Sequence, residues 1–204
     1  MKLEEVRTFC DNTAMHMQED LGITNAKEYM NKWCETLELV YQKYGIKSIN
    51  EKLLPNRFEA SIYIGTYELK LCFNISLLDQ YASLLPVNNG NVSEWVDSQQ
   101  VKYSREQPDD VPYNLAPIYI VDFPIQRYRW LVVDGNHRLC HARQIGIDKI
   151  YYKYFTLPMA CNAVCGVFEQ AFYYMVCEAG AIQKQQPQSI DFAMSHYMRF
   201  RESL

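Results

Sequence analysis

The sequence predicts an α+β protein: a small mixed β-sheet with helices before and after it. Three observations carry this expectation. Apolar residues recur every three or four positions near both ends of the chain; between about residues 58 and 75 the period changes to two; and from residue 117 to 155 short apolar runs alternate with turns and one helical stretch. The predicted organisation is a helical hairpin over 1–55, a sheet-bearing core over 56–156 and a helical extension over 157–204.

The elements follow in order. Leu3, Val6, Cys10, Thr13, Met17 and Leu21 form one helical stripe that ends before Gly22. Asn25 with Glu28 reads as a capping box for a second helix with Met30, Trp33, Leu37, Val40 and Tyr44 on its inner face, closed by Gly45. Ser48-Ile49-Asn50-Glu51 offers another capping box, stopped by Pro55. Phe58, Ala60, Ile62 and Ile64, then Leu69, Leu71, Phe73 and Ile75, alternate as two strands joined at Gly65-Thr66.

Leu77 to Leu85 reads as a short helix and Pro86 to Asn91 as a loop. Ser93 caps a helix with Trp95, Val96 and Val101. Ser104 to Asn114, with two prolines and three acids, reads as a long loop of the kind that often carries function. Pro117 to Asp122 and Tyr128 to Val133 are strands, 136–145 a helix ending at Gly146, and Lys149 to Phe155 a further strand. Residues 157–183 are helical in pattern, Gln183 to Gln188 reads as a linker, and Ser189 starts a last helix with Phe192, Met194, Tyr197 and Met198.

Composition bounds the function. A chain of 204 residues with 49% apolar and 22% charged residues can bury a real core. Its sixteen tyrosines fit a tyrosine-rich core edge better than a set of binding crevices. The net charge of −4 argues against a broad nucleic-acid-binding face, although a local basic groove is compatible with it. Seven cysteines make no even disulfide framework, the acidic start is unlike a secretory signal, and no apolar run is long enough to span a bilayer. These features together lead us to expect a cytoplasmic protein with reduced thiols and no membrane partner.

The chemistry concentrates at Asp134-Gly135-Asn136-His137-Arg138. An apolar strand stops there and a helix begins, so free backbone N–H groups and the positive end of the helix dipole converge on one corner. Gly135 lets a ligand approach the backbone, Arg138 can fork onto two phosphate oxygens, and His137 can donate or shuttle a proton. The same residues read equally well as a capped turn with a surface ion pair.

This run, with Pro117-Ile118 and Ile120-Val121 before it and Ala142, Ile145-Gly146 and a closing strand after it, resembles the ParB/sulfiredoxin superfamily. The likeness is good over 117–155 and loose over 68–116; the helical ends match nothing in that pattern. The resemblance implies a ParB/sulfiredoxin-like core in which Gly135, Asn136, His137 and Arg138 hold nucleotide phosphates. Asn136 stands where sulfiredoxin-like enzymes carry their cysteine, and Cys140 lies a turn further on, so sulfinic-acid reduction is not expected. Partition proteins carry Gly-Glu-Arg-Arg here, and residues 157–204 are poor in Lys and Arg, so partition-type DNA binding is not expected either. The Asp-Gly-x-His-Arg form is closer to free-serine kinases and ParB-like nuclease domains.

An enzyme of this kind, acting on phosphoanhydride or phosphodiester bonds as an NTPase, small-molecule kinase or nuclease, would need Mg²⁺ and a base. Asp134 is the expected metal or hydroxyl ligand, Asp134 and His137 the expected catalytic groups, and Arg105 a further phosphate contact. Asp79, Glu106, Asp109 and Asp110 are outside candidates that read first as solvated acids. The expected ligand is a nucleoside di- or triphosphate or a phosphorylated small molecule. The alternative is a non-catalytic nucleotide-sensing or protein-interaction module.

Other pairs read as structural. His137 and His141 share a helical face but lack a third ligand nearby. Cys161, Cys165 and Cys177 sit among apolar neighbours as buried thiols. Arg127 and Arg129, alternating with Tyr128 and Trp130, read as the solvated face of a strand.

Overall fold

The computed structural model describes residues 3–46, 54–104, 114–125 and 128–192. The chain is α+β and divides into two units, one made of 1–50, 60–71 and 164–204, the other of 51–59 and 72–163.

The first unit is mainly helical. In α1 (Leu3–Met15) Val6, Cys10 and Ala14 recur every four residues, and they are the buried ones. The stripe continues to buried Met17 through a π-helical turn, His16–Asp20. α2 (Ala26–Tyr44) buries Met30, Trp33, Leu37 and Val40 as the spacing predicts, and Gly45 ends it at φ 63°. Tyr44, expected on that face, is exposed.

The expected capping box at Asn25 does not form. Asn25 sits at φ 55° without capping α2. Its amide is spent on Ile190 instead: Nδ2 donates to the carbonyl at 3.0 Å and Oδ1 accepts from the N–H at 2.8 Å. Two bonds to backbone outweigh the one bond a cap would give.

α7 (Val167–Gln185) buries Phe168, Phe172, Met175 and Val176. The helical pattern over 157–183 is broken at Gly166 (φ 97°), so α6 (Leu157–Ala163) is a separate helix and Cys161 and Cys165 do not share one. Gln183 to Gln185 of the expected glutamine linker belong to the end of α7, since Gln and Lys are good helix formers; the turn comes at Gln186, φ 47°, and residues 186–188 are non-helical as expected. Ser189 forms a bridge with Thr24 instead of a cap, and the chain is not helical up to Phe192. Met194, Tyr197 and Met198 lie outside the described residues, as does the Ser48–Glu51 box.

β1 (Arg57–Ile64) and β2 (Tyr67–Asn74) pair across the Gly65-Thr66 turn, with Ala60, Ile62, Ile64, Leu69, Leu71 and Phe73 buried. Ile75 leaves this alternation. The Asn74 side chain accepts from the Leu77 N–H at 3.2 Å and starts α3 (Ile75–Ala82) two residues before the expected Leu77.

The second unit is built on a mixed sheet in the order β3-β7-β5-β6-β4. Its strands are β3 (Asn88–Asn91), β4 (Val101–Lys102), β5 (Ile118–Asp122), β6 (Trp130–Asp134) and β7 (Lys149–Phe155). β5 runs parallel to β7, and β4 to β6; β3 is antiparallel to β7, and β5 to β6. Asn88–Asn91 was expected as a loop. It has no strand composition, and pairing with the edge of β7 supplies its order.

Ile118, Ile120, Val132 and Ile150 pack with Val92, Trp95 and Val96 of α4 (Val92–Val96) and Leu139 and Ala142 of α5 (Asn136–Gln144). Burying these side chains contributes about 1.5–3 kcal/mol for each large one. α4 is shorter than expected because Val101 belongs to β4, in register with Trp130. Tyr119 and Lys153 are bonded to α3. Among the described residues no helix is long and apolar enough to cross a membrane.

Candidate functional site

β6 carries its buried residues, Leu131 to Val133, up to a half-exposed Asp134. Gly135 then turns the chain at φ 84° and stands as the N-cap of α5, offering no capping side chain. The N–H groups of the first turn precede the helix's own bonding, which begins with Leu139 N–H to Gly135 O, 3.0 Å.

Glycine is required at this corner for space as well as for φ. A Cβ on residue 135 would lie 2.5 Å from Ile118 Cγ2 and 2.8 Å from Arg138 Nη2. Arg138 is thus folded back over the glycine. Its Nη2 donates to Asp134 Oδ2 at 2.5 Å, while its Nε is buried and makes no hydrogen bond. The pair is a partly solvated i,i+4 contact, with side chains 21% and 39% exposed, so it contributes at most about 1 kcal/mol. A competing anion has little to overcome.

Asn136 points inward. It is 8% exposed, with Oδ1 accepting from the Ser104 N–H at 2.7 Å and Nδ2 donating to Val132 O at 3.1 Å. The amide pins β6 and the start of the 104–114 segment to α5, and it leaves only its backbone N–H for a ligand. His137 is exposed on the first turn and His141, one turn on, is half-buried. Cys140 donates to Ser104 O at 3.6 Å. Among the described residues no group of three His, Cys, Asp or Glu side chains could hold a metal ion.

Strand register brings in residues that the sequence did not single out with this corner. Tyr119 of β5 lies opposite Asp134 of β6 and beside Lys153 of β7. Its hydroxyl donates to Asp79 Oδ1 of α3 at 2.8 Å. Burial raises the Tyr119 pKa to about 12, with the Asp79 carboxylate and then Asp134 adding to the rise and Arg138 opposing it. Lys153 Nζ donates to Ala82 O at the C-terminal end of α3, where a cation is favoured. Asp79, an outside candidate by sequence, therefore joins Tyr119, Asp134 and Arg138. The available signal was slight: Tyr119 is the residue between Ile118 and Ile120, on the opposite face of β5 from them.

The remaining candidates lie elsewhere. Arg105, Glu106, Asp109, Asp110 and Arg127 are outside the described residues. Arg129 stacks on Trp130 at 4.3 Å. Cys161 and Cys177 are buried thiols in no disulfide and Cys165 is half-buried. A cavity of about 290 Å³ is lined by Val96, Ser98, Val101, Lys102, Tyr103 and Tyr128 and contains none of the corner residues. Lys102 faces the rings of Phe123 and Tyr128 at 5.0 and 5.8 Å, and burial lowers its pKa.

No family model, curated protein or solved structure matches this chain.

Proposed function

We propose that this protein binds a phosphate-bearing ligand, a nucleotide by the likeness of its Asp-Gly-x-His-Arg run to the ParB/sulfiredoxin superfamily, at the Gly135–Arg138 corner. The observation that carries the reading is the uncapped first turn of α5 lying beneath a guanidinium whose Nε is buried and unbonded. Phosphate oxygens would accept from the Asn136, His137 and Arg138 N–H groups. Arg138 would exchange its single bond to Asp134 for a fork onto the ligand. Gly135 keeps the approach open, and His137 stands exposed at the rim, able to donate a proton to a leaving oxygen.

Among the described residues no group of three His, Cys, Asp or Glu side chains could hold a metal ion, and the Asp134 carboxylate is engaged by Arg138. Mg²⁺ would instead arrive on the ligand's phosphates, as it usually does. On the enzymatic reading the corner orients a phosphoanhydride or phosphodiester for hydrolysis or transfer. The second reading is a nucleotide sensor without turnover, and one fact favours it: the Asp134 carboxylate and the Asn136 side chain are both already bonded within the protein.

Thermal melting with ATP, ADP or pyrophosphate, with and without Mg²⁺, tests the site. Ligand at a hundred times its Kd stabilises the folded state by about 2.7 kcal/mol, which is a readable rise in Tm. Arg138→Ala should abolish the rise, and Asp134→Asn, which releases the guanidinium, should enlarge it. No rise with any of these ligands, or an Arg138→Ala protein that responds like the wild type, overturns the proposal. Phosphate release by the wild type then separates enzyme from sensor.

A further inference from the structure

The cavity of about 290 Å³ lies at the β4 edge of the mixed sheet and shares no residue with the α5 corner. Val96 of α4 and Val101 of β4, both nearly buried, give it apolar lining. Tyr103 and Tyr128 add aromatic rings, Ser98 a hydroxyl and Lys102 a cation. Hydrogen bonds hold these walls in place. The Tyr103 hydroxyl donates to Val96 O at 3.3 Å, and the Tyr128 N–H donates to Ile125 O at 3.0 Å. The N–H groups of Arg129 and Trp130 both donate to Gln100 O, at 2.7 and 3.1 Å, tying the turn that bears Tyr128 to the segment entering β4. Walls already fixed lose little freedom when a ligand enters.

Charge and size narrow what fits. Lys102 Nζ lies 5.0 Å from the centre of the Phe123 ring and 5.8 Å from that of Tyr128, so the ammonium rests on ring faces. Burial there lowers its pKa, with Tyr128 opposing the shift. An ammonium that has given up part of its water gains most from a charge-assisted bond to an anion. Asp97, the acid in the lining, accepts from Arg143 Nη2 at 2.8 Å, which offsets its repulsion of such an anion. Ser98 Oγ accepts from the Gln100 N–H at 3.1 Å and keeps its own proton to donate. An apolar cavity of about 150 Å³ holds a benzene ring. A volume of about 290 Å³ therefore admits one ring with a polar substituent.

We propose that this cavity binds a small aromatic carboxylate, with its ring against Val96, Val101 and the two tyrosines and its carboxylate accepting from Lys102 Nζ. The Ser98 hydroxyl donates a second bond to the same carboxylate. Apolar and aromatic walls with a few convergent polar groups are the usual make-up of a small-molecule site. The ring supplies the buried area and an edge or offset contact with tyrosine; the carboxylate supplies the orientation. This assignment is independent of the phosphate reading of the α5 corner, since the two sites have no side chain in common.

The test is titration of the full, isotope-labelled chain with benzoate, para-hydroxybenzoate, benzamide and acetate, followed by backbone amide shifts. Both aromatic acids should saturate with a millimolar Kd or tighter and move the amides of residues 96–103. Benzamide, which lacks the charge, and acetate, which lacks the ring, should each bind about tenfold more weakly or worse. Lys102→Met keeps an apolar stem and removes the charge, and should weaken benzoate by about tenfold. Lys149→Met, at an exposed position of β7, should leave the titration unchanged. The comparison of benzoate with benzamide on the wild-type chain decides the matter if Lys102→Met fails to fold. No saturable shift at 96–103 with either aromatic acid overturns the proposal. So does acetate or benzamide binding as tightly as benzoate, a Lys102→Met titration like the wild type, or shifts confined to the α5 corner.

Discussion

Asn136→Ala is the sharpest test of how the α5 corner is held. The side chain is nearly buried and makes two hydrogen bonds to backbone, one to the Ser104 N–H and one to Val132 O. Truncation removes both and strands a donor and an acceptor. Each bond is worth about 0.5–1.5 kcal/mol net, and each group left unpaired in a buried site costs about 1–3 kcal/mol. Alanine recovers about 0.5 kcal/mol through its better helix propensity. The expected loss is about 2–4 kcal/mol.

Urea unfolding followed by tryptophan fluorescence reads this directly, since Trp95 and Trp130 lie 5.6 Å apart in the same unit as Asn136. Hydrogen exchange at the Ser104 amide should quicken in parallel. His137→Ala, one residue on and exposed, is the comparison and should stay within about 0.5 kcal/mol of wild type. If Asn136→Ala costs no more than His137→Ala, the amide is not a pin, and its inward hydrogen bonds do not explain the corner.

Gly135→Ala meets two obstacles at once, a left-handed φ worth about 1–2 kcal/mol and a Cβ 2.5 Å from the fully buried Ile118. We expect a stability loss larger than the backbone term alone, together with loss of the melting response to ATP; an unchanged urea midpoint would count against the geometry. Tyr119 provides an alkaline signature. Its folded pKa of about 12 lies above the ordinary tyrosine value near 10, so its contribution is complete below about pH 10 and is lost as pH rises through about 12. Tyr119→Phe should remove that step from the pH dependence of stability, and an unaltered alkaline limb would refute the assignment.

Much of this architecture was legible wherever local pattern and tertiary packing agree. The buried stripes of α1 and α2, the hairpin about Gly65-Thr66 and β7 at Lys149–Phe155 all follow from periodicity and turn chemistry. Asp134-Gly135 likewise marked the end of β6 and the start of α5, because a glycine after an apolar run is a local signal. Asn25 misled because its amide could satisfy either α2 or Ile190, and only the folded chain decides which. β3 was hidden because Asn88–Asn91 owes its order to a neighbour. The candidate site was legible as a corner but not as a cluster. Whether Asp79 and Tyr119 meet Asp134 and Arg138 depends on strand register, which no window of sequence contains. Asn136 was placed at the corner correctly, but the direction of its side chain depends on Ser104, thirty-two residues earlier.

The division of the chain has a consequence for synthesis. Residues 72–163 form most of one unit without interruption, whereas the other needs α1 and α2 from the beginning and α7 from beyond residue 164. A growing chain can therefore finish the sheet while α1 and α2 still lack α7, whose Met175 and Phe172 contact Cys10 and Phe9 of α1. During that interval the stripe of Val6, Cys10, Trp33 and Leu37 is incompletely covered. The helices made before the sheet are completed after it, and they are where a nascent-chain chaperone would have most to shield.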